Sequence, residues 1–537
     1  MALALREWQS EYLSAAVEHL KKDGVLLLQA PPGSGKTLFA LKSALTAKGG
    51  NKGKILFLTR THSEFTAVKR EADRLGLDVA FLFGKASVCP FAQGDEDPEE
   101  IDCKSCTLDG KIRDMGKLSP SQILAEAKNA SDYCPYQSLK AKIGEADVIA
   151  ASYLYFFLPA LRKSVLKEVG NKEITVIVDE AHNLLFADEW FKRRIGKKTL
   201  TGALEELDVV EKETKTKVEK AKEYVKTLLD FISKLDATPG CKQLPLVPQP
   251  DKETMLELMD AMKTYINLIE GPIKKSSLRS LVSFFSESGE IYNCGGGLVL
   301  IPEGTWDNIG AALKAADRSI LMSGTLPDLG ISGYRIDVDI KIGKPEWYYC
   351  KGLTSKVKVR SREAPKYAEV LERIFKQSGS SVLAFFPNYE FKKLVRENIK
   401  GVPILEEAKK GTTHEEMLEL MASGKYLVLL VMRAKESEGV EFRKDNKNLF
   451  ESVVLAGLPY PDITDAVMVN RIRRIAQMSK RTEEEVAHEL TLITIKQTIG
   501  RAFRDPNDYA KIYLCDSRYK NYFSDLGISE KEVRLFV

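Results

Sequence analysis

The chain begins as short apolar runs set between polar, helix-spaced stretches. Val25–Gln29, Ile55–Thr59 and Val79–Phe83 are too short for helices and too uniformly apolar for half-exposed strands. Each therefore reads as a strand buried on both faces. A helix is expected from Lys36 towards Lys48, and this strand–loop–helix alternation predicts a parallel α/β sheet. The pattern breaks near Lys85 and returns near Ala146, with strands expected at Asp147–Ser152, Ile174–Val178 and Ser319–Ser323. A second break runs from about Gly202 to Ala316, where the chain is charge-rich. There Val218–Leu235 and Thr254–Glu270 space their apolar residues as helices do, on either side of a Pro-rich stretch at 245–250. From near Lys351 the α/β pattern resumes, with strands expected at Ser381–Phe386, Tyr426–Met432, Ser452–Ala456 and Lys511–Cys515. The simplest parse is two α/β lobes with two insertions in the first.

Composition adds bounds to that picture. A chain of 537 residues, 44% hydrophobic and 29% charged, has length and apolar content for several globular domains. The net charge of +4 imposes no basic character as a whole, so any nucleic-acid surface must be local. No apolar run reaches the roughly 18 residues of a membrane span, and the N-terminus lacks the plan of a signal peptide. Of the eight cysteines, Cys241, Cys294, Cys350 and Cys515 are scattered. They are expected to be buried small apolar residues in a reducing, cytoplasmic protein.

Ala30–Thr37, with the sequence APPGSGKT, matches a phosphate-binding loop except that Ala30 replaces its first glycine. Gly33 and Gly35 let backbone N–H groups close around phosphate oxygens at a helix N-terminus, with Pro32 and Ser34 completing the nucleotide-binding loop. Lys36 supplies charge to the β- and γ-phosphates, and the Thr37 hydroxyl can ligate Mg²⁺. Asp179-Glu180-Ala181-His182 follows the apolar run Ile174–Val178, at the C-terminal strand end where open parallel sheets bind ligands. Asp179 is the expected Mg²⁺ partner, and Glu180 the group that orients and deprotonates the attacking water. Near the C-terminus, Gln497, Arg501 and Arg504 share one face if the segment is helical, a set suited to gripping a γ-phosphate.

Four more cysteines lie between the two halves of this ATP site. Cys89, Cys103, Cys106 and Cys134 are spaced C-x13-C-x2-C-x27-C. Four thiolates hold either a tetrahedral zinc or an iron–sulfur cluster, and spacing alone does not choose.

Taken in order, these motifs resemble those of the XPD (xeroderma pigmentosum group D, Rad3-type) helicases of superfamily two, in the compact archaeal form. The resemblance runs through Arg6–Gln9, Ala30–Thr37, Thr59–His62, the four cysteines, Asp179–His182, Ser323–Thr325, Phe385–Tyr389, Ser437–Gly439 and Gln497–Arg504. Bacterial damage-inducible (DinG-like) helicases share the cysteine cluster.

The resemblance implies two RecA-like motor domains with parallel sheets. A small [4Fe–4S] domain and a mainly helical arch domain are inserted in the first. The corresponding boundaries are 1–85, 146–203 and 318–347 for the first motor domain, 86–145 for the cluster, 204–317 for the arch and 348–537 for the second motor domain. It implies a five-prime to three-prime DNA helicase using ATP, Mg²⁺ and the cluster, acting on single-stranded, fork or bubble DNA as a monomer in DNA repair. Gln9 would read adenine, and Thr59, Arg60 and Thr61 would meet the DNA backbone. Ser437 would couple DNA grip to nucleotide state, while Gln497, Arg501 and Arg504 complete the ATP site. Tyr153, with Tyr155, Phe156 and Phe157, is a candidate base stacker, against the alternative of a core position. Two rivals stand beside the helicase: an ATP-switched DNA-binding or redox module, and a translocase that does not separate strands.

Overall fold

The computed structural model describes residues 5–536, apart from 23, 49–52, 95, 171, 341, 407–413, 434–441 and 445–446. Ser437 and its neighbours Glu438 and Gly439 lie outside the described residues. Two seven-stranded sheets, each wholly parallel, organise the molecule. In spatial order the first runs Tyr334–Asp337, Val25–Gln29, Arg318–Ser323, Ile174–Val178, Lys54–Thr59, Val148–Ser152 and Val79–Leu82. The second runs Ile404–Glu406, Leu427–Val431, Ser381–Phe386, Phe450–Ala456, Tyr509–Cys515, Lys344–Tyr349 and Val533–Leu535. All ten strands expected from apolar runs are present. The four that escaped, Tyr334–Asp337, Lys344–Tyr349, Ile404–Glu406 and Val533–Leu535, lie at or beside sheet edges. They carry Arg335, Glu346, Glu406 and Arg534, because only one side of them is buried.

The arch differs from its sequence outline. Its helices Lys197–Thr214, Glu219–Ser233, Lys252–Leu268 and Ser277–Phe285 enclose a core of its own, with Leu207, Val225, Leu228 and Leu258 fully buried. Alongside them is a four-stranded antiparallel sheet, in the order Arg193–Ile195, Leu298–Pro302, Gly289–Cys294, Cys241–Gln243. The pairing of Arg193–Ile195 with 298–300 closes the insertion at its base, so its structure starts at Arg193 rather than 204. Ile309 and Ala312 of the next helix pack with Phe156 and Val178 in the first lobe's core, which returns 305–314 to that lobe. Likewise Lys344–Tyr349 pairs with Tyr509–Cys515, so the chain passes to the second sheet before Lys344 rather than at 347.

Two cysteine expectations are also corrected. Cys241 and Cys294 face each other across antiparallel strands and form a disulfide, with Cα atoms 4.2 Å apart. Facing residues on such strands stand close enough to be bridged without moving the backbone. Cys350 and Cys515 are buried thiols, as expected, their Sγ atoms 2.8 Å apart.

The cysteine insertion leans on both neighbours. Met115, Ile123, Tyr133 and Leu139 join the first lobe's core instead of forming a separate one. Towards the arch, Ile101 and Ile273 form an antiparallel bridge. Asp102 N donates to Pro272 O (2.8 Å) and Lys274 N to Glu100 O (2.7 Å). The arch in turn reaches the second lobe: Cys241 N donates to Asp465 Oδ2 (3.0 Å), and Asn470 of the helix Ala466–Ser479 bonds the Tyr292 hydroxyl (2.6 Å).

Candidate functional site

The two sheets face each other across a cleft of about 1530 Å³, lined from the first lobe by Gln9, Pro32, Gly33, Gly35, Lys36, Thr37, Asp179 and Glu180. From the second lobe Gln497, Arg501 and Arg504 line the same space. The phosphate loop turns from Val25–Gln29 into the helix Lys36–Ala47, with Gly33 (φ 76°) and Gly35 (φ 92°) in the left-handed region that side chains rarely adopt. Gly33 has a second reason to be glycine: a Cβ there would sit 2.5 Å from the Arg504 carbonyl oxygen of the opposite lobe.

The N-terminal segment takes up this loop's carbonyls. Arg6 Nη1 donates to Gly33 O (2.6 Å), Trp8 Nε1 to Ser34 O (3.1 Å) and Gln9 Nε2 to Gly35 O (2.9 Å). Gly33, Gly35, Lys36 and Thr37 line the cleft, while Ser34 N donates within the loop to Pro31 O (3.2 Å). Gln9 is buried and also accepts from Arg6 N (2.8 Å), which leaves one amide hydrogen and one lone pair for any base. Ser34 is fully buried behind the loop.

Asp179 and Glu180 follow the fully buried strand Ile174–Val178. Burial, with repulsion from Glu180 and Glu64, pushes the Asp179 carboxyl up against the pull of Lys36. Burial pushes on Glu180 too, but the His182 hydrogen bond and the charge of Lys36 outweigh it and hold that carboxyl low. The site thus contains one carboxylate kept ionised and one in need of a cation.

A hydrogen-bonded chain joins Glu180 to the second lobe. Ser323 Oγ donates to Glu180 Oε2 (3.1 Å), and His182 Nδ1 meets Ser323 Oγ at 2.9 Å. On the far side of the ring, Gln497 Nε2 bonds His182 Nε2. An amide nitrogen only donates, so this contact assigns the imidazole proton to Nδ1. His182 and Ser323 stood within quoted motifs but carried no expected role. Their value lies in which elements they join, which spacing along the chain does not express.

Other placements depart from expectation. The helix Glu483–Gly500 ends at Gly500, so Gln497 is helical while Arg501 caps the helix and Arg504 lies in the turn beyond. The three still converge on the cleft, by the turn rather than by i, i+4, i+7 spacing. Thr59 is fully buried, its hydroxyl donating to Thr61 O (3.0 Å), and cannot meet a DNA backbone. Tyr153 is 4% exposed and its hydroxyl donates to the Asp179 carbonyl. A stacking platform needs an open face, so the core alternative is the one observed, as also for Tyr155, Phe156 and Phe157. Arg60 and Thr61 are partly exposed, and Arg60 lines the cleft.

Cys89, Cys103, Cys106 and Cys134 line a second, small cavity with Pro90, Ile101, Leu108 and the arch residue Pro272. Cys89 ends the helix Lys85–Val88 and Cys134 precedes the helix Pro135–Ala141, so two helix ends and one turn aim the thiols inward. Burial pushes the Cys89, Cys103 and Cys134 thiols up, which favours neutral sulfur until a cation compensates. Among the described residues no three His, Cys, Asp or Glu side chains stand together as the ligand set of a single metal ion. No helix among them is long and apolar enough to cross a membrane.

Comparison with known proteins covers nearly the whole chain. Family descriptions match in three places: DEAD_2 over residues 82–189, the DNA repair helicase XPD arch domain over 193–302, and a helicase C-terminal domain over 371–527. The chain is 30% identical to the ATP-dependent DNA helicase XPD of Sulfolobus acidocaldarius over 97% of both proteins. It is similar to the solved structure of S. tokodaii Xpd4, with 40% identity, a TM-score of 0.80 and coverage of 99% of this chain and 100% of that one. A solved XPD helicase gives 29% identity and a TM-score of 0.82, again over 99% of this chain and 100% of that one. With its two parallel-sheet lobes, cysteine insertion, arch and two-sided ATP cleft, the chain belongs to the XPD family of ATP-dependent DNA helicases.

Proposed function

We propose that the chain hydrolyses ATP to move along single-stranded DNA in the five-prime to three-prime direction and to unwind duplex at forks or bubbles, as a monomer in cytoplasmic DNA repair of the nucleotide-excision type. One observation carries this reading: phosphate-binding, metal-holding and base residues of the first lobe line one cleft with an amide and two arginines of the second. A site divided between two bodies ties nucleotide state to their separation, which is what a motor needs and a one-lobe switch does not.

Lys36 and the loop N–H groups bind the β- and γ-phosphates, and Gln9 offers its remaining amide hydrogen and lone pair to the base. Glu180 takes the proton of the attacking water, kept ionised for that task by His182 and Lys36. Arg501 and Arg504 stabilise charge on the γ-phosphoryl group. Thr37 and Asp179 fit Mg²⁺, since Asp179 is a buried carboxyl pushed up by its neighbours. Mg²⁺ held there would supply charge neutralisation at the phosphate oxygens.

The four thiols that line one apolar-walled cavity fit a [4Fe–4S] cluster, which would be held by Cys89, Cys103, Cys106 and Cys134 as thiolates. The cluster's contribution is that of a staple for an insertion whose apolar residues are shared with the first lobe. Arg60 and Thr61 are the proposed DNA contacts in the first lobe, and Ser437 the proposed coupling residue of the second.

The test is ATP hydrolysis with and without single-stranded DNA, followed by strand displacement on substrates with either a five-prime or a three-prime overhang. Stimulation with unwinding from the five-prime overhang alone is expected. No stimulation leaves the ATP-switched module standing, and stimulation without displacement leaves the translocase. Iron and acid-labile sulfide, measured on the same sample, decide the occupant of the thiol cavity.

A further inference from the structure

Glu180 has a backbone conformation that its residue type disfavours, φ 46° and ψ 47°, in the left-handed region. Such a conformation persists where surrounding contacts over-determine it, and it clusters at sites where placement matters. Here the contacts converge on the Glu180 carbonyl. It accepts from Asn183 N (3.0 Å), from Asn183 Nδ2 (3.0 Å) and, more distantly, from the Tyr153 hydroxyl (3.3 Å). The same hydroxyl donates to the Asp179 carbonyl, so Tyr153 supports both carboxylate-bearing residues from beneath.

The other end of the Asn183 amide points elsewhere. Its Oδ1 accepts from Arg60 Nη1 at 2.8 Å. Arg60 belongs to a loop held as one piece, because Glu64 Oε2 accepts from both Arg60 N (2.9 Å) and Thr61 N (3.1 Å). A single buried side chain therefore spans the loop proposed to meet DNA and the residue proposed to activate water. A phosphate is a stronger partner for a guanidinium than a neutral amide is. A strand that engages Arg60 thus changes what Asn183 is bonded to, and with it the tether on Glu180.

We propose that Asn183 is the positioning residue through which DNA bound at Arg60 sets the placement of Glu180 and so stimulates ATP hydrolysis. Tyr153 is the fixed support of that arrangement, indifferent to DNA. The inference rests on the reading of the chain as a DNA-stimulated ATPase.

The experiment is a double-mutant cycle on the full chain with Arg60→Ala and Asn183→Ala, measuring kcat for ATP without DNA and at saturating single-stranded DNA, together with the Kd for the strand. Asn183→Ala is expected to cut the ratio of stimulated to basal kcat by about five-fold or more, with the strand Kd unchanged. The double variant should lose no more stimulation than Arg60→Ala alone, which additive structural damage would not produce. Tyr153→Phe should lower both rates together and keep the ratio. Should Asn183→Ala fail to fold, Asn183→Ser is too short to span both partners and serves in its place. A wild-type ratio in the Asn183 variant, or additive losses in the cycle, overturns the inference. An unstimulated wild-type protein overturns the underlying reading instead.

Discussion

Gln497 of the second lobe is hydrogen-bonded, side chain to side chain, to His182 of the first. The bond crosses the ATP cleft and continues through Ser323 to Glu180. A single contact between the lobes is thereby wired to the carboxylate proposed to activate water. It forms only when the lobes are close, so it reports their closure to the chemistry.

The expected consequence is that Gln497→Ala lowers kcat without weakening ATP binding. Removing the amide leaves His182 Nε2 without its donor in a buried setting, a loss of about 1–3 kcal/mol. That converts to roughly a five-fold to 160-fold fall in kcat. Steady-state ATPase kinetics and an equilibrium nucleotide titration separate the two effects. A rise in KM at constant kcat would mean that Gln497 binds substrate and does not report closure.

How much of this was legible in the sequence depended on whether a feature is local. Ile174–Val178 announced itself because full burial demands an unbroken apolar run, and Val25–Gln29 did so by an apolar run in which Leu26 and Leu28 are fully buried. The phosphate loop and Asp179–Glu180 did so because their chemistry sits within a few consecutive residues. Edge strands such as Ile404–Glu406 gave no apolar run to read, since one open side admits charge. Arch strands Gly289–Cys294 and Leu298–Pro302 were hidden within a charge-rich stretch dominated by helices. The disulfide could not be seen, because nothing between residues 241 and 294 declares that the two strands are neighbours. The same holds for Asn183 beside Arg60, and for Tyr153, whose aromatic ring is equally at home in a DNA groove or a core. Chemistry at fixed short spacing was readable; partnership across the fold was not.

Arg471 should matter to stability more than any other surface-derived arginine of the second lobe's helix Ala466–Ser479. It is buried, bidentate to Asp188 (2.9 and 2.6 Å) and bonded to Glu189 (2.7 Å). These carboxylates precede the arch, so the pair pins the second lobe to the base of the insertion. Arg471→Ala leaves Asp188 buried without its partner, at a cost of about 3–5 kcal/mol. Thermal unfolding should show a clear drop in midpoint, whereas Arg471→Met combined with Asp188→Leu should recover most of it. Equal destabilisation by the single and double variants would show that the damage is lost shape, not an orphaned charge.

Acid should loosen the seam between the cysteine insertion and the arch. Burial pushes Glu96 up, but the N–H groups of Gln93 and Gly94 and the Lys275 side chain outweigh it and hold the carboxyl at about 2, against an ordinary 4.5. Lys275 lies on the arch, 3.2 Å from Glu96 Oε1. Because the folded value is depressed, the stabilisation is fully present above about pH 4.5 and is lost as pH falls towards 2. The distance between spectroscopic labels on the two insertions should widen over that window in the wild type. Glu96→Gln should widen it already at neutral pH and remove most of the difference. An unchanged distance in that variant would place the seam's strength in the Ile101–Ile273 bridge and the backbone hydrogen bonds beside it.

Reductant should weaken the arch selectively. The Cys241–Cys294 bond closes a loop of 53 residues in sequence separation, within which two of the four arch helices, Lys252–Leu268 and Ser277–Phe285, lie. Loop-closure entropy for that length corresponds to about 4 kcal/mol taken from the unfolded state, an upper figure because unfolded chains retain structure. The bridge also sits where the arch meets the second lobe, since Cys241 N donates to Asp465 Oδ2, and Asp465 in turn caps the helix Ala466–Ser479. Unfolding in urea with and without a dithiol should move the arch transition, followed by a probe within the arch, while the ATP-cleft signal stays in place. Cys241→Ser should match the reduced protein and be insensitive to reductant. A dithiol effect that persists in Cys241→Ser would trace to the thiols around Cys89 rather than to this bond.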